Sequence, residues 1–341
     1  MDLKREDEKL KRTLQFFFVS CCLLLLVACG AKSTEDVVEK VNEKWVDASY
    51  ELKASMEVKT DDTPRVYDIS VWHTKPEFYR VEINDVEADM KQIIIKNDEG
   101  VFLITPSTEK TYKFQSDWPK TNGQAYLIGA LAEDLLADAS ALMKEEDGKY
   151  IFEAATRNVE RTGMPIQQIV VDKKTMLPSR VAMMNEALDE KIVITFQNIN
   201  LKAKHKPEEY GVEQNNLADE GAVTSSEIEE DFKVYYPTVN FPNTELADEV
   251  VVNEAGKERA ILSFKGDKSY TLVQQPIVKM KGQLAVSVTG DLTPVNNVFG
   301  ALAENTLSWD ENGNSFFIAS NTLTQEELLA VATSLMSDSQ K

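Results

Sequence analysis

Short stretches in which apolar and polar residues alternate fill most of the region from residue 50 to residue 115, and this pattern most constrains the fold. Tyr50, Leu52, Ala54, Met56 and Val58 alternate with Glu51, Lys53, Ser55 and Glu57, which is the period of a β-strand with one buried face. Similar stretches follow at 66–73, 77–84, 91–96, 101–105 and 110–115, separated by short polar turns. Regular spacing with short turns predicts an up-and-down antiparallel sheet and not an α/β fold.

Two segments with helical spacing accompany these strands. Ser33 precedes a stripe formed by Val37, Val41 and Trp45, which predicts a capped helix packed on the sheet. Residues 122–146 predict one long helix with an apolar face. Strands are predicted again at 149–156, 164–172, 178–185 and 190–199.

The alternation predicts one shared apolar face on the first strands, and the 122–146 helix is its natural cover. Such a face can line a cavity for an apolar ligand or form an ordinary closed core, and the residue types fit both interpretations. The residues concerned are Leu52, Met56, Val58, Ile69, Val71, Val81 and Ile83.

The second half of the chain begins after a change in composition. Residues 207–231 hold nine acidic residues and no basic one, with few large apolar groups, which is typical of a solvated linker. Residues 232–341 then predict a smaller α+β domain, in which Thr324 and Glu327 form a capping box before a final helix. The resulting division is an N-terminal segment in two parts (1–28 and a tether, 29–32), a first domain (33–206), an acidic linker (207–231) and a second domain (232–341).

The N-terminus has the three parts of an export signal. Residues 1–12 carry five basic residues, and residues 13–28 form an uncharged apolar run that is shorter than the ~20 residues of a membrane span. The pentapeptide Leu26-Val27-Ala28-Cys29-Gly30 follows. It resembles the lipobox of bacterial lipoproteins.

That resemblance implies cleavage between Ala28 and Cys29 and acylation of the Cys29 thiol with diacylglycerol. Two acyl chains suffice for stable membrane attachment. The implied location is therefore the extracytoplasmic face of the cell membrane, with the cytoplasmic membrane as a partner through lipidated Cys29. An uncleaved anchor helix and a plain signal peptide remain the alternatives.

Composition and residue inventory exclude several classes of function. The formal charge of −20 argues against a nucleic-acid binder, which needs a basic face. No phosphate-binding glycine loop and no nucleophile elbow is present, and His73 and His205 are the only histidines, each expected to be solvated or at a sheet edge. No catalytic residue, metal ligand or cofactor is therefore predicted, and the chain is not expected to be an enzyme.

The element order behind the lipobox resembles the lipoprotein-carrier fold of the LolA family. The likeness covers roughly residues 33–202 and is carried locally by PEFYRVEI (76–83), GVFLITPSTEKTYKF (100–114) and DKKTMLPSRV (172–181). It implies an α+β protein whose first domain is a curved, incomplete antiparallel β-barrel covered by helices. Arg65 and Arg80 are the candidates for the gating arginine of that family.

The second domain resembles one found in exported lipoproteins of spore-forming bacteria. The likeness runs through LVQQP (272–276), SVTGDL (287–292), LSWDENG (307–313) and LTQEELLAVATSL (323–335). The whole arrangement is similar to the sporulation lipoproteins of the YdcC type. This implies non-enzymatic binding of an acyl chain, a lipidated partner or another envelope protein, in envelope assembly during sporulation. The alternative is a sensor or protein-interaction module like RseB, without a lipid ligand.

Overall fold

The computed structural model describes eleven stretches of the chain and, within them, two sheets with their covering helices. These stretches are 32–59, 64–87, 90–108, 110–115, 124–156, 164–216, 232–254, 257–277, 285–296, 298–311 and 313–337. The helices are α1 (Thr34–Trp45), α2 (Ile128–Ala137), α3 (Val212–Asn216) and α4 (Gln325–Thr333), and 3₁₀ turns occupy Pro106–Thr108 and Pro207–Tyr210.

The first sheet contains twelve strands, eleven of them consecutive in sequence. They are β1 (Tyr50–Val58), β2 (Arg65–Thr74), β3 (Phe78–Asp85), β4 (Met90–Asn97), β5 (Gly100–Thr105), β6 (Lys110–Phe114), β7 (Leu142–Glu146), β8 (Lys149–Ala155), β9 (Ile166–Asp172), β10 (Pro178–Met184), β11 (Glu190–Asn200) and β16 (Val286–Val288). Their spatial order is β16-β6-β5-β4-β3-β2-β1-β11-β10-β9-β8-β7, so the sheet has two ends and does not close. All neighbours are antiparallel except β16 and β6. The expected incomplete antiparallel barrel is therefore confirmed.

The second sheet has seven strands and forms the core of a smaller domain. The strands are β13 (Thr244–Glu254), β14 (Lys257–Gly266), β15 (Tyr270–Pro276), β17 (Asp291–Val295), β18 (Val298–Leu302), β19 (Thr306–Glu311) and β20 (Asn314–Ala319), in the order β13-β14-β15-β20-β19-β18-β17. A separate two-stranded ribbon pairs β12 (Tyr235–Pro237) with β21 (Leu335–Ser337). One face of the second sheet packs on α4, which begins at the predicted capping box of Thr324 and Glu327.

The capped helix at the start of the described chain forms as its sequence predicts. Ser33 accepts a hydrogen bond from the backbone N–H of Asp36, and the Asp36 carboxylate accepts one from the N–H of Ser33. This satisfies backbone donors that a helix start leaves unpaired. Val41 and Trp45 are completely buried, and the Trp45 indole donates to the carbonyl of Met176 at 2.8 Å.

The prediction of one long helix over residues 122–146 is wrong for the second half of that range. The helix ends at Ala137, and residues 142–146 form β7 at one end of the first sheet. The Asp138 carboxylate accepts hydrogen bonds from the N–H groups of Ser140 and Ala155, both at 2.8 Å. These bonds offer the chain a turn that competes with helix continuation. Residues 122 and 123 lie outside the described residues.

The first ten residues of the expected acidic linker fold against the first sheet. Tyr210 is completely buried among Ile93, Ile95 and Phe102, and the Asn97 side chain donates to the Tyr210 carbonyl at 3.0 Å. Three apolar side chains and one amide thus hold a segment whose composition predicts a solvated linker. Residues 217–231 lie outside the described residues, as does most of the 1–32 region.

Candidate functional site

The apolar face predicted for the first strands exists as a continuous inner face of the first sheet. Cross-strand pairing aligns one row of side chains over six strands: Leu52, Val71, Val81, Ile94, Leu103 and Tyr112. A parallel row runs through Ala54, Ile69 and Ile83. Since directly paired residues point to the same side of a sheet, the predicted residues and those of β4 to β6 share one surface.

Over β1 to β3 this inner face is covered by helices. Leu52, Ile69, Val71, Val81 and Ile83 are buried, whereas Met56 and Val58 are partly buried at its margin. They belong to one cluster with Val41 and Trp45 of α1 and Ile128 and Leu131 of α2. Helical side chains therefore pack on the part of the face for which the sequence left two interpretations open, a cavity lining and a closed core.

Over β4 to β6 the same face meets the second sheet and leaves a cavity of about 330 Å³. Leu103, Tyr112 and Phe114 line it from the first sheet, and Phe299, Ala301, Ser308 and Phe317 line it from the second. This volume lies within the ~300–1,000 Å³ typical of ligand pockets, and the wall is mostly apolar. This cavity lies on the same face as the candidate lining residues, but over β4 to β6 and not over β1 to β3.

One wall of the cavity carries a compact polar cluster that joins the two sheets. The Lys110 ammonium donates to both Asp310 carboxylate oxygens, at 3.1 and 2.9 Å, and to the Ser315 hydroxyl at 2.8 Å. The Tyr112 hydroxyl donates to Asp310 at 3.2 Å. Burial, followed by the Asp310 charge, raises the pKa of Tyr112, so its phenol stays neutral at physiological pH.

Two further contacts shape the cavity wall, one between the sheets and one within the second sheet. The Gln92 side-chain oxygen accepts a hydrogen bond from the backbone N–H of Phe299 at 2.8 Å. Gly300 permits the close approach of β18 and β19, because a Cβ there would lie 2.5 Å from the Ser308 carbonyl oxygen. A larger residue at position 300 would displace the cavity wall.

A second buried acid lies where the end of the inner face meets β19. Glu311 accepts hydrogen bonds from the Asn296 amide at 3.2 Å and from the Trp309 indole at 3.3 Å. Burial raises its pKa, and the negative charge of Asp85 adds to the effect, whereas these two hydrogen bonds and the positive charge of Arg65 oppose it. Both sheets thus contribute charge to this end of the interface.

The two candidate arginines occupy different faces of the first sheet. Arg65 starts β2 opposite Val58, on the inner face. Arg80 lies on the outer face, where its Nε donates to Asn215 at 2.6 Å and its guanidinium stacks over Trp72 at 4.7 Å. Arg80 therefore cannot gate the inner face.

Both histidines are more enclosed than their sequence context indicates. His73 is buried between Tyr50 and Tyr79, its Nδ1 lies 2.8 Å from the Ala48 carbonyl, and burial lowers its pKa. The ring of His205 stacks on Trp72 with 4.2 Å between centroids. The expectation of solvated or edge positions is wrong for His73, which sits within the sheet on β2.

The expected lipidation site lies outside the described residues, and those residues contain neither a membrane-spanning helix nor a metal-ligand cluster. That expected site consists of Ala28 and Cys29. Within the described part of the chain no helix has the length and hydropathy of a membrane span. Nor does that part bring three His, Cys, Asp or Glu residues together in a way that suits a metal ion.

Sequence reasoning missed the cavity wall supplied by β18. The run Val298-Phe299-Gly300-Ala301-Leu302 is continuously apolar, and all five residues are buried. A short apolar run bounded by polar residues is the pattern of a strand buried on both faces. That signal was available in the sequence, but alternation, which marks half-buried strands, does not detect it.

Comparison with known proteins identifies the family. Residues 9–210 match the family described as Sporulation protein YdcC-like. The chain is 32% identical over 321 residues to "Sporulation protein YdcC" of Bacillus subtilis (strain 168), covering 94% of this chain and 95% of that protein.

Solved structures show a more distant likeness. The MucA/MucB complex of Pseudomonas aeruginosa matches with a TM-score of 0.33 and 11% identity, over 89% of this chain and 98% of that one. A putative outer-membrane lipoprotein-sorting protein domain from Vibrio parahaemolyticus matches with a TM-score of 0.34 and 9% identity, over 54% of this chain and 100% of that one. Scores this low carry no conclusion about function. The family assignment follows from the sequence matches: this chain belongs to the YdcC-like family of sporulation proteins.

Proposed function

We propose that this chain is a non-enzymatic binding module, anchored through lipidated Cys29 on the outer face of the cytoplasmic membrane, that holds an acyl chain of a lipid or lipidated partner. The observation that carries the proposal is the mostly apolar cavity of about 330 Å³ between the two sheets. Tyr112, Phe299 and Phe317 give it aromatic walls. The Lys110–Asp310 cluster supplies polar groups at one side.

The energetics of such a site favour an acyl ligand. Burial of a methylene group contributes ~0.8 kcal/mol, so eight methylenes contribute roughly 6 kcal/mol before ordering costs. Phe317 lines the cavity and is 42% exposed, which places it at the mouth. An acyl chain can therefore enter past Phe317 without unfolding of either sheet.

The anchor and the biological setting extend this proposal. The basic segment, apolar run and lipobox at residues 1–30 support cleavage before Cys29 and its acylation. The name of the Bacillus subtilis relative supports a role in sporulation, for which we propose envelope assembly. In this scheme the inner-face domain binds the ligand, and the domain that begins at about residue 232 also contacts protein partners.

Acyl binding in the cavity is tested on a chain that starts at residue 29 and carries Cys29→Ser. This chain retains every described residue. The purified protein is extracted with organic solvent, and the extract is analysed by mass spectrometry; titration with cis-parinaric acid, a fluorescent fatty acid, measures binding directly. A stoichiometric acyl species is expected. Ser308→Leu, which fills the cavity, is expected to abolish its retention.

The matched control places the same side chain on an exposed surface. Ala155 of β8 is exposed and lies on the first sheet away from the cavity, so Ala155→Leu is expected to retain the ligand. An empty extract together with no saturable cis-parinaric acid binding would overturn the acyl-binding proposal. Equal binding by the Ser308→Leu variant would remove the cavity from it.

The anchor is tested separately in the full-length chain. Metabolic labelling with an alkyne analogue of palmitate is expected to label the wild type and not Cys29→Ser. The wild type is also expected in the membrane fraction and the variant in the soluble fraction. Equal labelling of both would contradict lipidation at Cys29.

The second candidate function is an interaction module without a lipid ligand. Packing of Trp45, Ile128 and Leu131 on the inner face favours it, because these side chains fill space that an acyl carrier would leave open. A clean extract, an intact fold and a stoichiometric protein partner in a pull-down would support this function. Retention of ligand in the cavity would contradict it.

A further inference from the structure

The edge strand β13 of the second sheet is long and carries neither lysine nor proline. It runs for 11 residues, Thr244–Glu254, and its sequence contains no Lys, Arg or Pro. It pairs with β14 on one side, and the described residues place no strand on the other. Long edge strands present unpaired N–H and C=O groups, and natural proteins usually protect them with lysine, proline, bulges or brevity. The charges on β13 are all negative, so they do not repel a basic strand.

The other three ends of the two large sheets show that protection. β17, at the opposite end of the second sheet, has 5 residues and contains Pro294. At the ends of the first sheet, β7 has 5 residues and contains Lys144, and β16 has only 3 residues. β13 differs from all three, although a bulge between Leu246 and Asp248 bends its first half. The segment after this bulge, residues 248–253, is exposed and can serve as a template with which a further strand pairs.

Apolar side chains are exposed on both faces of this template. Val250 and Val251 are 39% and 54% exposed and point to opposite faces. Val250 begins a cross-strand row that continues through Ile261 and Val273 to Phe317. The row connects the edge with the mouth of the cavity and leaves apolar surface beside the edge for a partner to cover.

The charges of the strand are of one sign. Glu245, Asp248 and Glu249 are exposed on β13. The Glu249 carboxylate accepts a hydrogen bond from the Tyr236 hydroxyl at 2.8 Å, which adds no positive charge. A strand added at this edge therefore meets acids next to Val250 and Val251. Since oppositely charged cross-strand pairs stabilise a sheet, basic residues on the added strand are favoured at these positions.

We propose that β13 is a docking edge for an extended segment of a partner protein, which adds to the second sheet as an antiparallel strand. The segment has β-branched apolar residues opposite Val250 and Val251 and Lys or Arg opposite Asp248 and Glu249. Main-chain hydrogen bonds provide affinity in this mode, and side-chain pairs provide specificity. The proposal stands independently of what the cavity holds.

Charge decides between a foreign segment and a second copy of this chain. With Val250 opposite Val251 of a second copy, antiparallel pairing places Glu249 opposite Val252 and Asp248 opposite Asn253, so no basic residue faces these acids. The whole chain has a net charge of −20, which produces repulsion between two copies. A basic partner segment supplies the opposite charge and avoids this repulsion.

The test uses the peptide Ac-TVIVKKT-NH2 as a probe and the chain that starts at residue 29 with Cys29→Ser. In antiparallel pairing its apolar half lies opposite the valines and its two lysines lie opposite Asp248 and Glu249. Saturable binding by calorimetry is expected, with new hydrogen-exchange protection confined to β13. Val250→Lys/Val251→Lys is expected to weaken binding about tenfold or more, since it adds like charge and removes apolar contact.

Two N-methylated peptides separate strand addition from charge attraction. One carries N-methyl groups on its odd residues and the other on its even residues, with unchanged side chains and charge. Alternate N–H groups point to opposite edges of a strand, so one of these peptides is expected to bind and the other to fail. Leu142→Lys, at an exposed position on β7, is the matched control and is expected to leave binding unchanged.

Three results would overturn the proposal. The first is equal binding by both N-methylated peptides, which would indicate charge attraction alone. The second is absence of binding by the unmodified peptide to a folded protein. The third is a dimer in light scattering that Val250→Lys/Val251→Lys dissociates, which would assign the edge to a second copy.

Discussion

The ammonium of Lys110 and the carboxylate of Asp310 form an ion pair of 2.9 Å between β6 of the first sheet and β19 of the second. The side chains are only 13% and 6% exposed. Each charge is thus mostly removed from water and depends on the other for compensation. The two residues are 200 positions apart in the sequence, and their ion pair connects the two sheets.

This relationship predicts a strongly non-additive double-mutant cycle. Lys110→Met leaves the Asp310 carboxylate buried without its cation, so the free energy of unfolding is expected to fall by ~3–5 kcal/mol. Lys110→Met/Asp310→Leu removes both charges and is expected to recover most of that loss. Urea denaturation of wild type, both single variants and the double variant measures the coupling. Additive losses would show that the ion pair does not join the sheets as described.

Glu311 predicts a specific pH dependence. Its pKa is raised above the ordinary value of 4.5, so the folded state retains a proton that the unfolded state has lost. Its contribution to stability is therefore present at low pH and is lost as pH rises from about 4.5 through the raised folded-state pKa. Glu311→Gln cannot ionise, and its stability relative to wild type is expected to improve as pH increases over that window.

Glu190→Gln is the control with the opposite sign. Hydrogen bonds from Lys59 and Arg180 lower the pKa of Glu190 below 4.5, so its contribution is present above that value and is lost as pH falls through the lowered pKa. Its removal is expected to cost more at pH 7 than at pH 3. Denaturation curves at several pH values give both slopes. Parallel slopes for the two variants would contradict the assigned environments.

Arg80 predicts local release of the segment that follows the first sheet. Its Nε bonds to Asn215 and its Nη2 to Glu82, both at 2.6 Å, on the outer face. Arg80→Met is expected to lower the free energy of unfolding by ~2–3 kcal/mol, because hydrogen bonds to a charged group are lost. Hydrogen exchange in 207–216 is expected to accelerate. Asn215→Ala removes the bond from Arg80 and also the Asn215 bonds to the Glu209 and Gly211 carbonyls, so it is expected to accelerate exchange in the same segment.

The hydrogen bonds of Asp138 stabilise the turn between α2 and β7, and their loss is expected to destabilise it. Asp138→Ala removes acceptors for the N–H groups of Ser140 and Ala155 and is expected to cost about 1 kcal/mol. Hydrogen bonds from Ser140 and Ala155 lower the Asp138 pKa, so the loss is expected to shrink as pH falls through that pKa. Asp138→Asn keeps one acceptor and serves as the control. Thermal denaturation of the two variants at neutral and acidic pH tests the prediction.

Local pattern was sufficient for much of the first sheet and for both capped helices. The alternation of Leu52, Ala54 and Met56 predicts a strand because side chains on a strand alternate between faces. Ser33 with Asp36 and Thr324 with Glu327 predict helix starts because these short-range bonds need no tertiary context. The break after Ala137 was missed, since the Asp138 carboxylate makes one of its bonds to Ala155, on a strand that lies 17 residues later.

The sequence by itself determined which residues form the inner face, because period two needs only the geometry of one strand. Tertiary structure alone decided where that face is filled and where it stays open. α1 and α2 cover Leu52, Val71 and Val81, whereas Leu103 and Tyr112, in the same row, face the second sheet across the cavity. The physical reason is that a cavity is the space left between surfaces distant in sequence, and no local spacing encodes the distance between β5 and β18.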